Sequence, residues 1–176
     1  KAAPASARPA VAPAVPAAKL TREDQSLLVL TGLFVNKAEY REYIAQTIVL
    51  EAGGDISAPR ALYTQAVFAY NQQRSSPSTH VASLYAALQA HLRTLPDSQR
   101  DLLLPLLDTA VLQAERLAAD LPPKDVQGHV RQLTAVVTSS EIHRRRKAIE
   151  TDLRRAEQAG NQEEVRRLLE LYRHLS

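Results

Sequence analysis

The stretch IHRRRKAIETDLRRAEQAGNQEEVRRLLELYRHLS, residues 142–176, reads as two helices and the turn between them. Ile142, Ile149, Leu153 and Ala156 recur at helical spacing on one face. Ala159-Gly160-Asn161 then ends the run, with glycine where a left-handed residue is needed. Asn161 followed by Glu164 has the chemistry of a helix start, a side chain accepting a backbone amide three residues on, so a second helix begins at once. A helical hairpin at the carboxyl end is the result.

The second of these helices is richer in leucine than a hairpin needs. Val165, Leu169 and Tyr172 form one apolar stripe, and Leu168, Leu171 and Leu175 form another beside it. One stripe suffices to close two rods, so the other either packs on the rest of the molecule or waits for a partner, because such ridges are rarely left wet without reason. On the partner reading, the docking residues are Leu168, Leu171, Tyr172 and Leu175, with Arg145 and Arg167 orienting the complex. Full burial of Leu168, Leu171 and Leu175 within this one chain would remove the basis for that reading.

Working back from residue 142, the β-branched run Val136-Val137-Thr138 and the pair Ser139-Ser140 are poor helix material, and Thr138 with Glu141 has the form of a capping box. A boundary or bend is expected there, although one long helix tolerates the same residues. Residues 138–176 are accordingly read as the hairpin and 21–137 as a helical bundle.

Each bundle helix has its own punctuation. Thr21 and Asp24 make a capping box before Leu27, Leu28, Leu30, Leu33 and Phe34. Tyr40, Tyr43, Ile44, Thr47 and Ile48 stripe a second helix that stops near Gly53-Gly54. Ser57-Ala58-Pro59 opens a third, carrying Leu62, Tyr63, Ala66, Val67 and Tyr70, and Ser76-Pro77 a fourth, carrying Val81, Leu84, Tyr85, Leu88 and Leu92. A fifth follows Pro96-Asp97 and runs from Leu103 to Leu121, with Pro105 predicting a kink or a later start. Pro122-Pro123 breaks the chain before a sixth, marked by Val126, Val130, Leu133 and Val137. The fold class is therefore all-α, a bundle of five to six helices followed by a hairpin.

Residues 1–20 differ in kind. They are nearly all Ala, Pro and Val, with prolines too close for a helix to persist, so they read as a disordered linker. Extended at about 3 Å per residue, such a segment reaches roughly 60 Å. With Lys1 in first place and no Met anywhere, the chain is expected to be a segment of something longer.

Composition narrows the function. Five glycines, no Asn-Gly or Asp-Gly dipeptide and no sustained alternation remove the usual hairpin and sheet signals. The absence of Cys excludes disulfides, thiolate zinc sites and thiol nucleophiles, and agrees with a reducing cytoplasm. No apolar run approaches the ~20 residues a membrane span needs. The five histidines lack companions at metal-binding spacing, and there is no Asp-x-Asp pair, phosphate loop or nucleophile elbow. No catalytic residue, metal ligand or cofactor site is expected, and the segment is read as non-enzymatic.

The run Arg144-Arg145-Arg146-Lys147 invites a nucleic-acid reading. Successive helical residues are about 100° apart, so four in a row point around most of the cylinder rather than along one basic face. Residues 141–176 hold nine Lys and Arg against seven Asp and Glu, a net of only +2, and Tyr172 is the sole aromatic after Tyr85. Single-strand binding needs stacking aromatics beside the positive charges. Direct nucleic-acid binding is therefore not expected of this segment, and it is expected to be a monomer on its own.

The order of parts resembles the C-terminal domain of bacterial DNA primases of the DnaG type. The likeness rests on the Pro/Ala linker, on Thr21-Arg22-Glu23-Asp24 before Leu27-Leu28, on Arg144-Arg145-Arg146-Lys147-Ala148-Ile149-Glu150, on Ala156 through Asn161, and on Leu168-Leu169-Glu170-Leu171. It covers nearly the whole chain and is sharpest over the last 35 or so residues. Phe34-Val35-Asn36-Lys37 stands where many relatives carry His-Pro. The resemblance implies a bundle and hairpin that dock onto the N-terminal domains of the hexameric replicative helicase of the DnaB type at a bacterial replication fork, modulating priming and helicase activity. It also implies that primer synthesis belongs to upstream domains of a nucleotidyltransferase. Two other readings are the helicase's own N-terminal domain, which shares the architecture but normally lies near a protein's start, and a single-strand-binding helical module.

Overall fold

The computed structural model describes residues 20–50, 56–75 and 83–175. Among them lie seven helices and no strand: α1 (Arg22–Asn36), α2 (Ala38–Thr47), α3 (Ala58–Ser75), α4 (Leu84–Arg93), α5 (Asp97–Asp120), α6 (Pro123–Gln158) and α7 (Gln162–His174). The all-α class and the terminal hairpin are as expected. The linker apart from Leu20, the glycine pair at 53–54 and the Ser76-Pro77 start all lie outside the described residues.

α1 is the hub. Leu27, Leu28, Leu30, Leu33 and Phe34 have no exposed surface, and together they cover most of the helix circumference, the pattern of a helix surrounded by others. It is packed most extensively on α5, and also touches α2, α3, α4 and α6. Its start is the expected capping box: the Thr21 hydroxyl oxygen accepts the Asp24 amide at 3.1 Å, and Asp24 Oδ2 accepts the Thr21 amide at 3.2 Å. At its other end Arg41 of α2 donates to the carbonyls of Phe34 (2.8 Å) and Val35 (2.7 Å), which the helix itself leaves open. Gly32 sets the closeness of α1 and α5. A Cβ there would lie 2.0 Å from the carbonyl oxygen of Ala110 and 2.8 Å from Cβ of Ala114, so the two backbones meet where only glycine fits.

Several boundaries differ from the sequence reading. α2 ends at Thr47, not near Gly53, because Ile48 is already extended and the β-branched pair Ile48-Val49 leaves the helix. The phenol of Tyr63 donates to the carbonyls of Ile44 (3.3 Å) and Ile48 (3.2 Å), closing that end. α4 opens at Leu84 with Ser83 as its cap, the Ser83 hydroxyl accepting the Ala86 amide. α5 runs from Asp97 straight through Pro105, its ninth residue, so the helix neither breaks nor starts later there, although proline has no amide to give the carbonyl of Asp101.

The largest difference concerns α6. It is one unbroken helix of 36 residues, about 54 Å long at 1.5 Å per residue, and it passes through Thr138 without a boundary. Its first half, through Val126, Val130, Thr134, Val137 and Glu141, is buried against the bundle; its second half belongs to the hairpin. Bundle and hairpin thus share a rod.

Candidate functional site

α7 turns back along α6 through the loop the sequence announced. Gly160 has φ of 68°, the only positive value among the described residues. The amide of Asn161 donates to Ala156 O and that of Gly160 to Glu157 O, both at 3.0 Å, so the last carbonyls of α6 are satisfied before the chain reverses. Asn161 Oδ1 then accepts the Glu164 amide at 3.2 Å, starting α7.

The expected division of the α7 leucines is not the one found. Leu168 is buried at 5% exposure and Val165, Tyr172 and Leu175 are half-buried, so the seam that closes on α6 runs through 165, 168, 172 and 175. Leu169, expected in the seam, is 44% exposed, as is Leu171. Spacings of three, four and three residues explain the choice, since 165, 168, 172 and 175 stay within one narrow stripe whereas 169 departs from it. Leu169 and Leu171 are two residues apart and therefore about 160° apart around the helix, one on each flank of the seam. The surplus apolar surface is thus two separate patches, not one ridge.

The arginine run spreads as the 100° step requires. Arg144 faces the bundle, binding both carboxylate oxygens of Glu23 (2.7 and 2.9 Å) and Glu141 (2.7 Å). Arg145 turns to the end of α2, donating to Val49 O at 3.3 Å and lying 3.9 Å from Glu141. Arg146 reaches α7, donating to Leu175 O with its guanidinium carbon 5.9 Å from the Tyr172 ring centre. Of the two arginines assigned to the partner, Arg145 is therefore drawn into the bundle side of the rod, and Arg167 is exposed and paired with Glu164 of its own helix at 2.6 Å. Leu168 and Leu175 serve the hairpin itself, and Tyr172 reaches Glu150 at 3.3 Å.

At the root of the hairpin is an ion cluster that sequence spacing did not signal, because its members are far apart in the chain. Arg60 of α3 and Glu141 of α6, each 4% exposed, pair at 2.8 Å, and Arg60 also lies 3.5 Å from Glu23. Arg144 bridges Glu23 and Glu141. Alongside, Asp24 accepts the hydroxyls of Ser57 and Thr21. Burial pushes the Asp24 carboxyl up, but these hydroxyls, the Thr21 amide and the nearby Arg144 together hold it below the ordinary 3.8. Donation of its hydrogen bonds to the Glu23 carboxylate, opposed by burial, raises the Arg144 guanidinium above its ordinary range. A largely buried ion cluster is weak evidence for stability, because desolvation offsets much of the attraction. Its members join the middle of α6 to α1 and α3.

Among the described residues no group of His, Asp or Glu is arranged to hold a metal ion, and no helix is long and apolar enough to cross a membrane. Comparisons with family models, with curated proteins and with solved structures each found no match to this chain.

Proposed function

We propose that this chain is a non-catalytic docking module, the C-terminal domain of a bacterial primase, that attaches a primer-making enzyme to the N-terminal domains of the hexameric replicative helicase in the cytoplasm. The observation that carries the reading is the pair of leucines, Leu169 and Leu171, each 44% exposed on a terminal helix whose packing is on α6. Leucines exposed along the outer arm of a hairpin fit a protein partner better than they fit nucleic acid or solvent. The arginine run supports the same choice, because Arg144, Arg145 and Arg146 are each engaged within the chain instead of forming a basic face. The bundle acts as the base that modulates the partner, and the linker raises the local concentration of the upstream domains at the fork.

The test is size-exclusion co-elution of the chain with a replicative helicase from the same organism. Leu169→Asp and Leu171→Asp, placed on already wet positions, should each leave the circular-dichroism helix signal intact and weaken co-elution at least tenfold. Leu168→Asp should instead melt α7 and lower the helix signal itself. Undiminished co-elution of the Leu169→Asp/Leu171→Asp double variant overturns the assignment. A salt-dependent shift of labelled single-stranded DNA by the chain alone would favour the nucleic-acid reading.

A further inference from the structure

α6 crosses six residues, 137–142, that read as the start of a different helix. Val137, Thr138, Glu141 and Ile142 stand at the four positions of a complete N-terminal signature: apolar residue before the cap, capping hydroxyl, acidic residue three on, and apolar residue four on. The same chemistry is in use at Thr21 and Asp24. In the unbroken rod it is idle, and one atom shows the cost. Thr31, Thr64, Thr109 and Thr151 each return their hydroxyl to the carbonyl four residues back, yet Thr138 Oγ1 is buried with no hydrogen-bond partner among the described residues. Glu141, which would complete the cap, is instead held across to α3 by Arg60 at 2.8 Å, with Arg144 of its own helix also on it at 2.7 Å.

We infer that α6 is a two-state rod in which Glu141 has alternative employments. Bound to Arg60 it keeps the rod continuous and the hairpin fixed. Released from Arg60 it caps a new helix at Thr138, the Thr138 hydroxyl gains the Glu141 amide, Val137 closes on Ile142, and the rod bends between bundle and hairpin. Residues 139–158 are a lever of about 30 Å, and a kink of at least ~20° carries its tip about 10 Å. A partner or mutation that competes for Arg60 thereby re-aims the hairpin without touching it. The device stands on the geometry of α6 and is independent of the identity of the partner.

Because the chain has no cysteine, Gln99→Cys in α5 and Glu163→Cys near the tip take spin labels cleanly. Measurements at roughly 0.5 M salt screen the more exposed Arg144, which otherwise bridges Glu23 and Glu141 at 2.7 Å each. The parent should give one narrow distance distribution, and Arg60→Met should add a second peak displaced by about 10 Å or more. Adding Thr138→Val, which keeps shape and branching but removes the capping hydroxyl, should return Arg60→Met to the parent distribution. An unchanged distribution in folded Arg60→Met, or a second peak indifferent to Thr138→Val, overturns the inference. Should Arg60→Met not fold, Ser139→Pro decides, since proline is accommodated at the first position of a new helix. Thr138→Val should leave the parent midpoint unchanged or raised, and lower that of Ser139→Pro by about 2–4 °C. Equal shifts in the two backgrounds sink it.

Discussion

Asp24 shows how one side chain serves two levels of structure. Its carboxylate closes the capping box of α1 and accepts the Ser57 hydroxyl from the start of α3, so it ties an element to its own first turn and to a neighbour. The first role is written in Thr21-x-x-Asp24 and was legible; the second was not, because Ser57 is 33 residues away and nothing local marks the pair. The folded carboxyl lies below its ordinary 3.8, so it contributes stability above that value and loses it as pH falls from 3.8 toward the folded value. Asp24→Asn should therefore cost about 1 kcal/mol at pH 7, from the lost cap. It should also flatten the acid limb of the stability curve, so that parent and variant converge below about pH 3. Urea midpoints taken from pH 7 down to pH 2.5 measure both, and a variant that stays parallel to the parent through acid would show that Asp24 is not the titrating group. Arg60 and Glu141 were illegible for the same reason as Ser57: a buried ion pair between distant elements leaves no periodic trace.

At the scale of the helix, periodicity and caps located most of what exists, and the errors cluster where two local signals compete. The stripe over Tyr40–Ile48 suggested a longer α2, but Ile48 and Val49 favour extended backbone and the helix ends at Thr47. In α7 two apolar stripes overlap because Leu168 and Leu169 are adjacent, and only the 165-168-172-175 spacing keeps one seam, so Leu169 lies outside it. Gly32 was passed over altogether, a glycine inside a strongly apolar helix whose reason is the carbonyl of Ala110 on α5. Gly32→Ala should therefore destabilise by about 3 kcal/mol or more through forced separation of α1 and α5, although alanine is the better helix former by about 1 kcal/mol. A thermal midpoint equal to the parent's would show that the two helices yield more easily than their close approach indicates.

For the whole molecule, fold class and the terminal hairpin were readable because both rest on caps, glycine and apolar spacing. The division between bundle and hairpin was not, because it turns on whether Glu141 caps a helix or meets an arginine from α3, and only tertiary structure decides that. The unbroken α6 carries one more implication. Since the bundle grips the rod up to Arg145 and α7 grips it from Arg146 onward, helical phase alone sets the azimuth at which Leu169 and Leu171 are displayed. One alanine inserted between Arg145 and Arg146 should swing that display by about 100° and abolish co-elution with the partner, whereas four inserted alanines, about 40° from a full number of turns, should restore most of it. Equal loss from both insertions would mean that the hairpin is not indexed to the bundle. The rod is in this sense a key whose teeth are cut at one end and whose angle is set at the other.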